Sequence, residues 1–353
     1  MADKNMDRRE FVGCAAVAGM TVAGGMLAGC SSASTASSSS SSESSSSAQS
    51  SSGAASSSAA SASAQASADA PVVYFTPDIS PAGLAAIFDA IGRTPQGNVG
   101  VKVSTGEAGG HNYLKPELIG DLVQSIDGTI LECNTAYGGS RSNTESHLQV
   151  AAEHGFTDIA DVDIMDADGD IALPVEGGTH LTEDYVGKSF ADYDFIVNLA
   201  HFKGHAMGGF GGVLKNASIG IASSRGKSWI HTAGTQMSGW SAPSQDAFLE
   251  SMAEAAKAVA DHLGENVVYI DVMNNLSVDC DCDSHPADPE MADIGILGST
   301  DPVALDQACV DLVYAAEDSA SLIERIESRN GVRTLEHAEE IGLGSRQYQL
   351  VEV

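Results

Sequence analysis

From residue 72 onward, apolar and polar positions follow two alternating periods. Short apolar or alternating runs predict strands at Val72–Phe75, Val99–Val103, Thr129–Cys133, Asp194–Ala200, Val267–Asp271 and Ile294–Leu297. Between them lie stretches with apolar residues three and four apart, the spacing of a helix with one buried face. Pro81–Ile91 ends at Gly92, Pro116–Ile126 carries proline in its first turn, and Thr144–His154 is closed by Gly155. Ser244–Leu263 sets Phe248, Met252, Ala255 and Val259 on one face. Asp301 and Pro302 open a helix that runs to Tyr314, with Asp as the cap and Pro at the first position. Strands that alternate with helices predict an α/β fold. The expected architecture over residues 71–353 is a mostly parallel sheet with helices on both faces, as one large domain or two closely packed lobes.

The chain ahead of residue 71 has neither period. Arg8 and Arg9 precede a weakly apolar, Gly-rich segment that resembles a twin-arginine export signal. It is too short and too rich in Gly for a convincing membrane span. It leads into Leu27-Ala28-Gly29-Cys30, which resembles a lipobox. The expectation is a signal peptide over 1–29 and a lipid on Cys30, holding the protein at the outer face of the cell membrane. An uncleaved N-terminal anchor is the alternative, and it tethers the product just as well. Residues 30–70 are dominated by Ser and Ala, cannot bury enough apolar surface to order, and read as a flexible linker.

A formal net charge of −31 argues against nucleic acid as a partner and against a polybasic membrane face. Of six Cys, Cys14 falls in the signal and Cys30 at the lipid site, which leaves Cys133, Cys280, Cys282 and Cys309. Thiols outside the cell can pair as disulfides. Cys280-Asp-Cys282, however, is spaced too closely for an easy mutual bridge. The twin-arginine route also carries proteins already folded, often with a cofactor inserted. Together these favour a metal.

Three segments concentrate chemistry just after predicted strands. The first is His201-Phe-Lys-Gly-His205 followed by Gly208, Gly209, Gly211, Gly212 and Lys215. Its glycines allow close backbone approach to a ligand, and Lys203 and Lys215 supply positive charge. His201 and His205 are four apart and would share a helix face, although the Gly content argues against a regular helix there. Arg225, Lys227 and His231 continue the basic series, and Arg225 suits a carboxylate or phosphate. The second segment packs Cys280, Cys282 and His285 among three Asp, a ligand set suited to zinc or iron. Closing a tetrahedral site would need His285, His201, His205 or Cys133. The third runs from Cys133 to Arg141, whose guanidinium could bind an anion. His147 and His154 follow as expected surface or capping residues, and Cys309 reads as core. No nucleotide-binding glycine fingerprint is present.

Tyr137–Arg141, Phe202-Lys-Gly-His205, Gly209–Asn216, Gly226–His231, Cys280-Asp-Cys282 and Asp293–Asp306 together resemble the family called domain of unknown function 362. The resemblance spans most of residues 72–315. Many members carry a ferredoxin-like insert after the position of His231. This chain passes instead through a short Gly/Ser-rich loop into the helix at Ser244, and it has no Cys-x-x-Cys-x-x-Cys. Ferredoxin-type clusters are therefore not implied. The span from His205 to Lys215 is also similar to a Gly-rich segment of the lactate racemase family. That likeness implies a nickel-bearing nucleotide cofactor bonded to Lys215, with His231 in proton or hydride work.

The leading expectation is an exported, lipid-anchored protein that binds a metal or metallocofactor for redox-type chemistry on a small molecule. Cys280 and Cys282, with His285, His205 or His201, would hold metal. Lys203, Lys215, Arg225, Lys227, Arg141 and the backbone at Gly209, Gly211 and Gly212 would hold an anionic ligand or cofactor. His231 and Lys215 would act on the substrate, and a redox partner protein would fit this picture. The rival expectations are a racemase-like isomerase and a non-enzymatic binding protein for an anionic solute.

Overall fold

The computed structural model describes residues 69–353. The export signal, Cys30 and nearly all of the Ser/Ala linker lie outside the described residues. The predicted strands form as β1 (Val72–Thr76), β2 (Val99–Lys102), β3 (Thr129–Glu132), β7 (Phe195–His201), β10 (Val267–Met273) and β11 (Gly295–Ser299). They join β4 (Val162–Ile164) and β12 (Gln349–Glu352) in one eight-stranded sheet of order β12-β1-β11-β10-β7-β2-β3-β4. Five of its pairings are parallel, while β11 runs antiparallel to both neighbours. The mostly parallel sheet expected from the sequence is therefore what forms.

The helices also form where the periods put them: α1 (Pro81–Ile91), α2 (Pro116–Ser125), α3 (Thr144–Glu153), α6 (Gln245–Leu263) and α7 (Pro302–Ala315). Their ends are fixed by caps. The Asp301 carboxylate accepts the N–H groups of Val303 and Ala304, each at 2.9 Å, and the Ser244 hydroxyl accepts from Ala247 at 3.1 Å. Helices cover both faces. On one face Leu84, Ile87, Ile119 and Val123 pack with Val101, Val197 and Ile270. On the other, Met252, Val259, Val303 and Val310 pack with Leu131, Ile196 and Tyr269.

The pattern did not reveal the β5–β6 hairpin (Asp170–Pro174 with Glu183–Gly187), β4, β12, or the helices α8 (Ala320–Ser328) and α9 (Arg333–Glu340). β4 has three residues, too few to show a period, and β12 is mostly exposed. The Gly-rich segment is not helical where its histidines lie. It forms a small hairpin, β8 (Lys203–His205) with β9 (Gly209–Gly211), followed by the short helix α4 (Val213–Ala217) and then α5 (Ser224–His231). His201 and His205 thus stand on successive strands rather than on one helix face. Because β2, β3, β7 and β10 are mutually parallel, the segments that leave their C-terminal ends meet at one edge of the sheet.

Candidate functional site

A cavity of about 400 Å³ lies at that edge. Each strand contributes to it: Lys102 from β2, Glu132 and Arg141 from β3 and the loop beyond, His201 and Lys203 from β7 and β8, and Cys280, Asp281 and Cys282 from the loop after β10. The hairpin and α4–α5 complete the wall with His205, Gly211, Gly212, Lys215, Lys227 and His231, and Trp240 stands at the rim. Three segments that are remote in sequence converge here as one site.

The charge is arranged against the trend of the whole chain. Lys102, Arg141, Lys203, Lys215 and Lys227, five of the chain's 17 Lys and Arg, face Glu132 and Asp281. Most of the cations are committed. Lys102 donates to Glu132 at 3.0 Å and to Asn216 at 3.2 Å. Arg141 binds Glu107 at 3.2 Å, Glu132 at 3.3 Å and the Tyr137 hydroxyl at 3.1 Å. Burial alone would raise the Glu132 carboxyl, but Lys102, Arg141 and the Thr105 N–H pull it down to about 2. Lys203 donates to the His201 carbonyl and to Asp281, both at 2.7 Å. Burial works against ionised Asp281 too, yet His201 and Lys203 hold its carboxyl well below the usual range. Lys227 donates to the Ala222 carbonyl at 2.5 Å.

Lys215 is different. Among the described residues its ammonium has no hydrogen bond and no ion pair. Burial, then Lys203, Lys102 and Arg141, push its pKa down to about 7. Its helix is held from below. Asp306 of α7 accepts the N–H groups of Val213 and Leu214 at 2.8 and 3.0 Å, which fixes the N-terminus of α4. Gly212 is required at that junction, because a Cβ there would stand 2.3 Å from an Asp306 oxygen.

Of the three histidines that line the cavity, His205 and His231 take opposite tautomers. His231 Nδ1 lies 2.6 Å from the Lys227 carbonyl, which can only accept, so the proton sits on Nδ1 and the lone pair on Nε2. His205 Nδ1 lies 2.8 Å from the Gly208 N–H and 3.2 Å from the Met207 N–H, so there the lone pair is on Nδ1 and the proton on Nε2. Burial keeps both neutral: His231 falls to about 4, and His205 lies well below its ordinary value. His231 stacks on Phe248 at 4.8 Å and meets Trp240 edge-on at 4.7 Å.

Several expectations need correction. Cys280 and Cys282 are joined by a disulfide, although their spacing argued against one. The loop turns so that their Cα atoms stand 5.2 Å apart, an ordinary separation for a disulfide, and the Asp283 N–H closes that turn on the Cys280 carbonyl at 2.9 Å. His285 is exposed and bonded to Ser284, away from the sulfurs. His201 has both ring nitrogens occupied, by Asp281 at 3.0 Å and by the Asn274 carbonyl at 2.6 Å, so it is a strut and not a free ligand. Arg225 points away from the cavity and pairs with Asp170 beside the Tyr185 ring. Arg141 is in the wall, but its donors are spent on Glu107 and Glu132. His147 is fully buried rather than on the surface. Cys309 is core, as expected. Among the described residues, the atoms able to ligate a metal together are those of His205, Cys280 and Cys282, all within 4.8 Å of one another. Asp281, read as one of three Asp in a metal-ligand set, is instead the ion-pair partner of His201 and Lys203. Lys102, Glu132 and Trp240 were missed. Only the strand-end position of Lys102 and Glu132 could have pointed to them.

A family model described as "Domain of unknown function (DUF362)" matches residues 99–311, a span that contains every residue lining the cavity. Among solved structures, the chain is similar to the lactate racemase apoprotein from Thermoanaerobacterium thermosaccharolyticum, with 13% identity and a TM-score of 0.41. That alignment covers 69% of this chain and 57% of the other. A protein from Thermotoga maritima gives 14% identity and a TM-score of 0.36, over 74% of this chain and 58% of the other. The chain thus spans less than two thirds of the length of either. No curated protein matches it.

Proposed function

The chain belongs to the family described as domain of unknown function DUF362, and from that premise we propose that its cleft binds a small organic anion with which His231 exchanges a proton. The observation that carries this is Lys215. Lys215 is half-buried in the cavity wall. Its ammonium has no protein partner among the described residues and stands among Lys203, Lys102 and Arg141, and a ligand carboxylate or phosphate would supply the missing negative charge. The neighbouring cations are bound to the protein's own carboxylates and carbonyls, so they hold the wall together and leave Lys215 to meet the ligand.

Proton transfer is assigned to His231 because Nε2 carries a fixed, unprotonated lone pair. His205 offers the reverse, an N–H at Nε2. One base and one donor on the wall of a cationic cleft suit removal and return of a proton beside a carboxylate, the chemistry of an isomerase. Thermal-shift measurements with succinate and other small carboxylates test the binding. Stabilisation should be present in the native protein and absent in Lys215→Gln, and an equal shift in both would end this reading. Solvent-deuterium exchange into the bound acid, followed by NMR, tests the chemistry. Binding without exchange would leave a binding protein in place of an enzyme.

Metal binding is a second reading, favoured by the grouping of His205, Cys280 and Cys282. The residues fit a thiophilic ion only once the disulfide is reduced and the Nε2 proton of His205 is displaced. Metal analysis of protein purified under reducing conditions tests it. Arg8-Arg9 and the Leu27–Cys30 segment support export with a lipid on Cys30. Cys30→Ala is then expected to move the protein from the membrane fraction to the soluble one.

A further inference from the structure

We propose that the Cys280–Cys282 disulfide is redox-active, and that the cleft presents to it a small thiol bearing a carboxylate or similar anionic group. The proposal rests on the reading of the cleft as an anion site. The bridge closes a loop of sequence separation 2, so it removes almost no freedom from the unfolded chain and is a poor structural staple. Both of its sulfurs nevertheless line the cavity. The remaining described cysteines behave otherwise. Cys309 is core beside Asp271, and Cys133 is buried, donates to the Ile221 carbonyl at 3.2 Å and is pushed up to about 12 by burial.

The two sulfurs are not equivalent. Cys280 is 5% exposed, and its sulfur accepts the backbone N–H of Cys282 at 3.3 Å, whereas Cys282 is only half-buried. A ring nitrogen of His205 lies within 4.8 Å of both. An incoming thiolate therefore attacks the Cys282 sulfur. The S–S bond breaks and its electron pair goes to Cys280, where the Cys282 N–H receives the new thiolate. A second thiolate then attacks the ligand sulfur of the mixed disulfide and releases Cys282. In total two small thiols are oxidised to one disulfide, and the protein disulfide is reduced to two thiols, which take up the two protons. With a small disulfide in excess the reaction runs in reverse. Asp281, between the cysteines, is held throughout by His201, Lys203 and the Glu107 N–H at 2.8 Å, so the sulfurs stay aligned for reclosure.

The test uses oxidised protein and three probes: mercaptosuccinate, 2-mercaptoethanol and cysteamine, compared at equal thiolate concentration. Reduction is followed by acid quench, alkylation and mass spectrometry. Mercaptosuccinate should react about tenfold faster than the neutral thiol, and cysteamine slower still, because the cationic wall concentrates anions. In Lys215→Gln the ratio of anionic to neutral rates should fall towards one. The trapped mixed disulfide should map to Cys282. Equal rates for the three thiols, or trapping on Cys280, would overturn the proposal. Succinate, which lacks the thiol, separates the two readings. If it still stabilises the protein through Lys215, only the exchange chemistry falls; if it does not, the anion site falls first.

Discussion

Lys215 is placed at a cost to the free protein. Its folded pKa of about 7 lies below its ordinary value of 10.5. Between those values the unfolded chain holds a proton that the folded one has given up, so stability rises with pH across that window. Anion binding runs the other way, because it needs the ammonium. Calorimetric titrations with succinate should therefore show affinity falling as pH is raised through about 7. Lys215→Met should raise the Tm of the ligand-free protein while abolishing succinate binding, a trade of stability for function. At this scale the sequence was informative where chemistry was local. Lys215, His205 and Cys280 stood out because Gly, His, Lys and Cys crowd into short loops. His201 was misread because the carboxylate that occupies it, Asp281, is 80 residues away. Arg225 was misread for the same reason, since Asp170 is 55 residues distant.

At the level of elements, the device that matters is the seat of α4. A helix of five residues has little stability of its own, and here the Asp306 carboxylate takes two of its free N–H groups. Asp306→Ala leaves both donors unsatisfied and is expected to cost about 2–4 kcal/mol in urea unfolding. Gly212→Ala should destabilise by the same contact from the other side. A second junction ties α6 to the segment before β6 and to α9. Glu254 accepts the N–H groups of Thr179 and Leu181, each at 2.7 Å, and a ring nitrogen of His337 at 3.0 Å. Burial opposes its charge, yet these donors bring it down to about 2. Its contribution is therefore complete above the ordinary value of 4.5 and lost as pH falls towards 2, which acid titration of the native protein against Glu254→Gln would show. The long helix α6 was legible because Phe248, Met252, Ala255 and Val259 recur every three to four residues in the sequence, although burial along the helix is nearly continuous. The β5–β6 hairpin was not, because its alternation is broken by half-buried and exposed positions.

Over the whole molecule, a cationic cleft sits in a chain of net charge −31. The mutual repulsion of so many carboxylates opposes the compact state, and salt screens it. Raising ionic strength from about 0.01 to 0.5 M should raise the Tm, provided chloride is used in place of carboxylate or phosphate. The same field repels anionic ligands at a distance, although the cleft attracts them nearby. The parallel run of β2, β3, β7 and β10 puts this cleft at the C-terminal ends of the strands, where the sequence already concentrated its chemistry. The antiparallel direction of β11 was invisible to periodicity, since a strand buried on both faces reads alike in either direction.

The chain has two tryptophans, and they occupy unlike places. Trp229 is half-buried, with its indole N–H bonded to the Glu183 carbonyl at 2.9 Å. Trp240 stands at the rim, between Tyr137 and the His231 ring, where a ligand would enter. The protein thus carries its own optical gauge. Filling the cleft should change the emission of Trp240 and leave that of Trp229 alone, and Trp240→Phe should silence the signal.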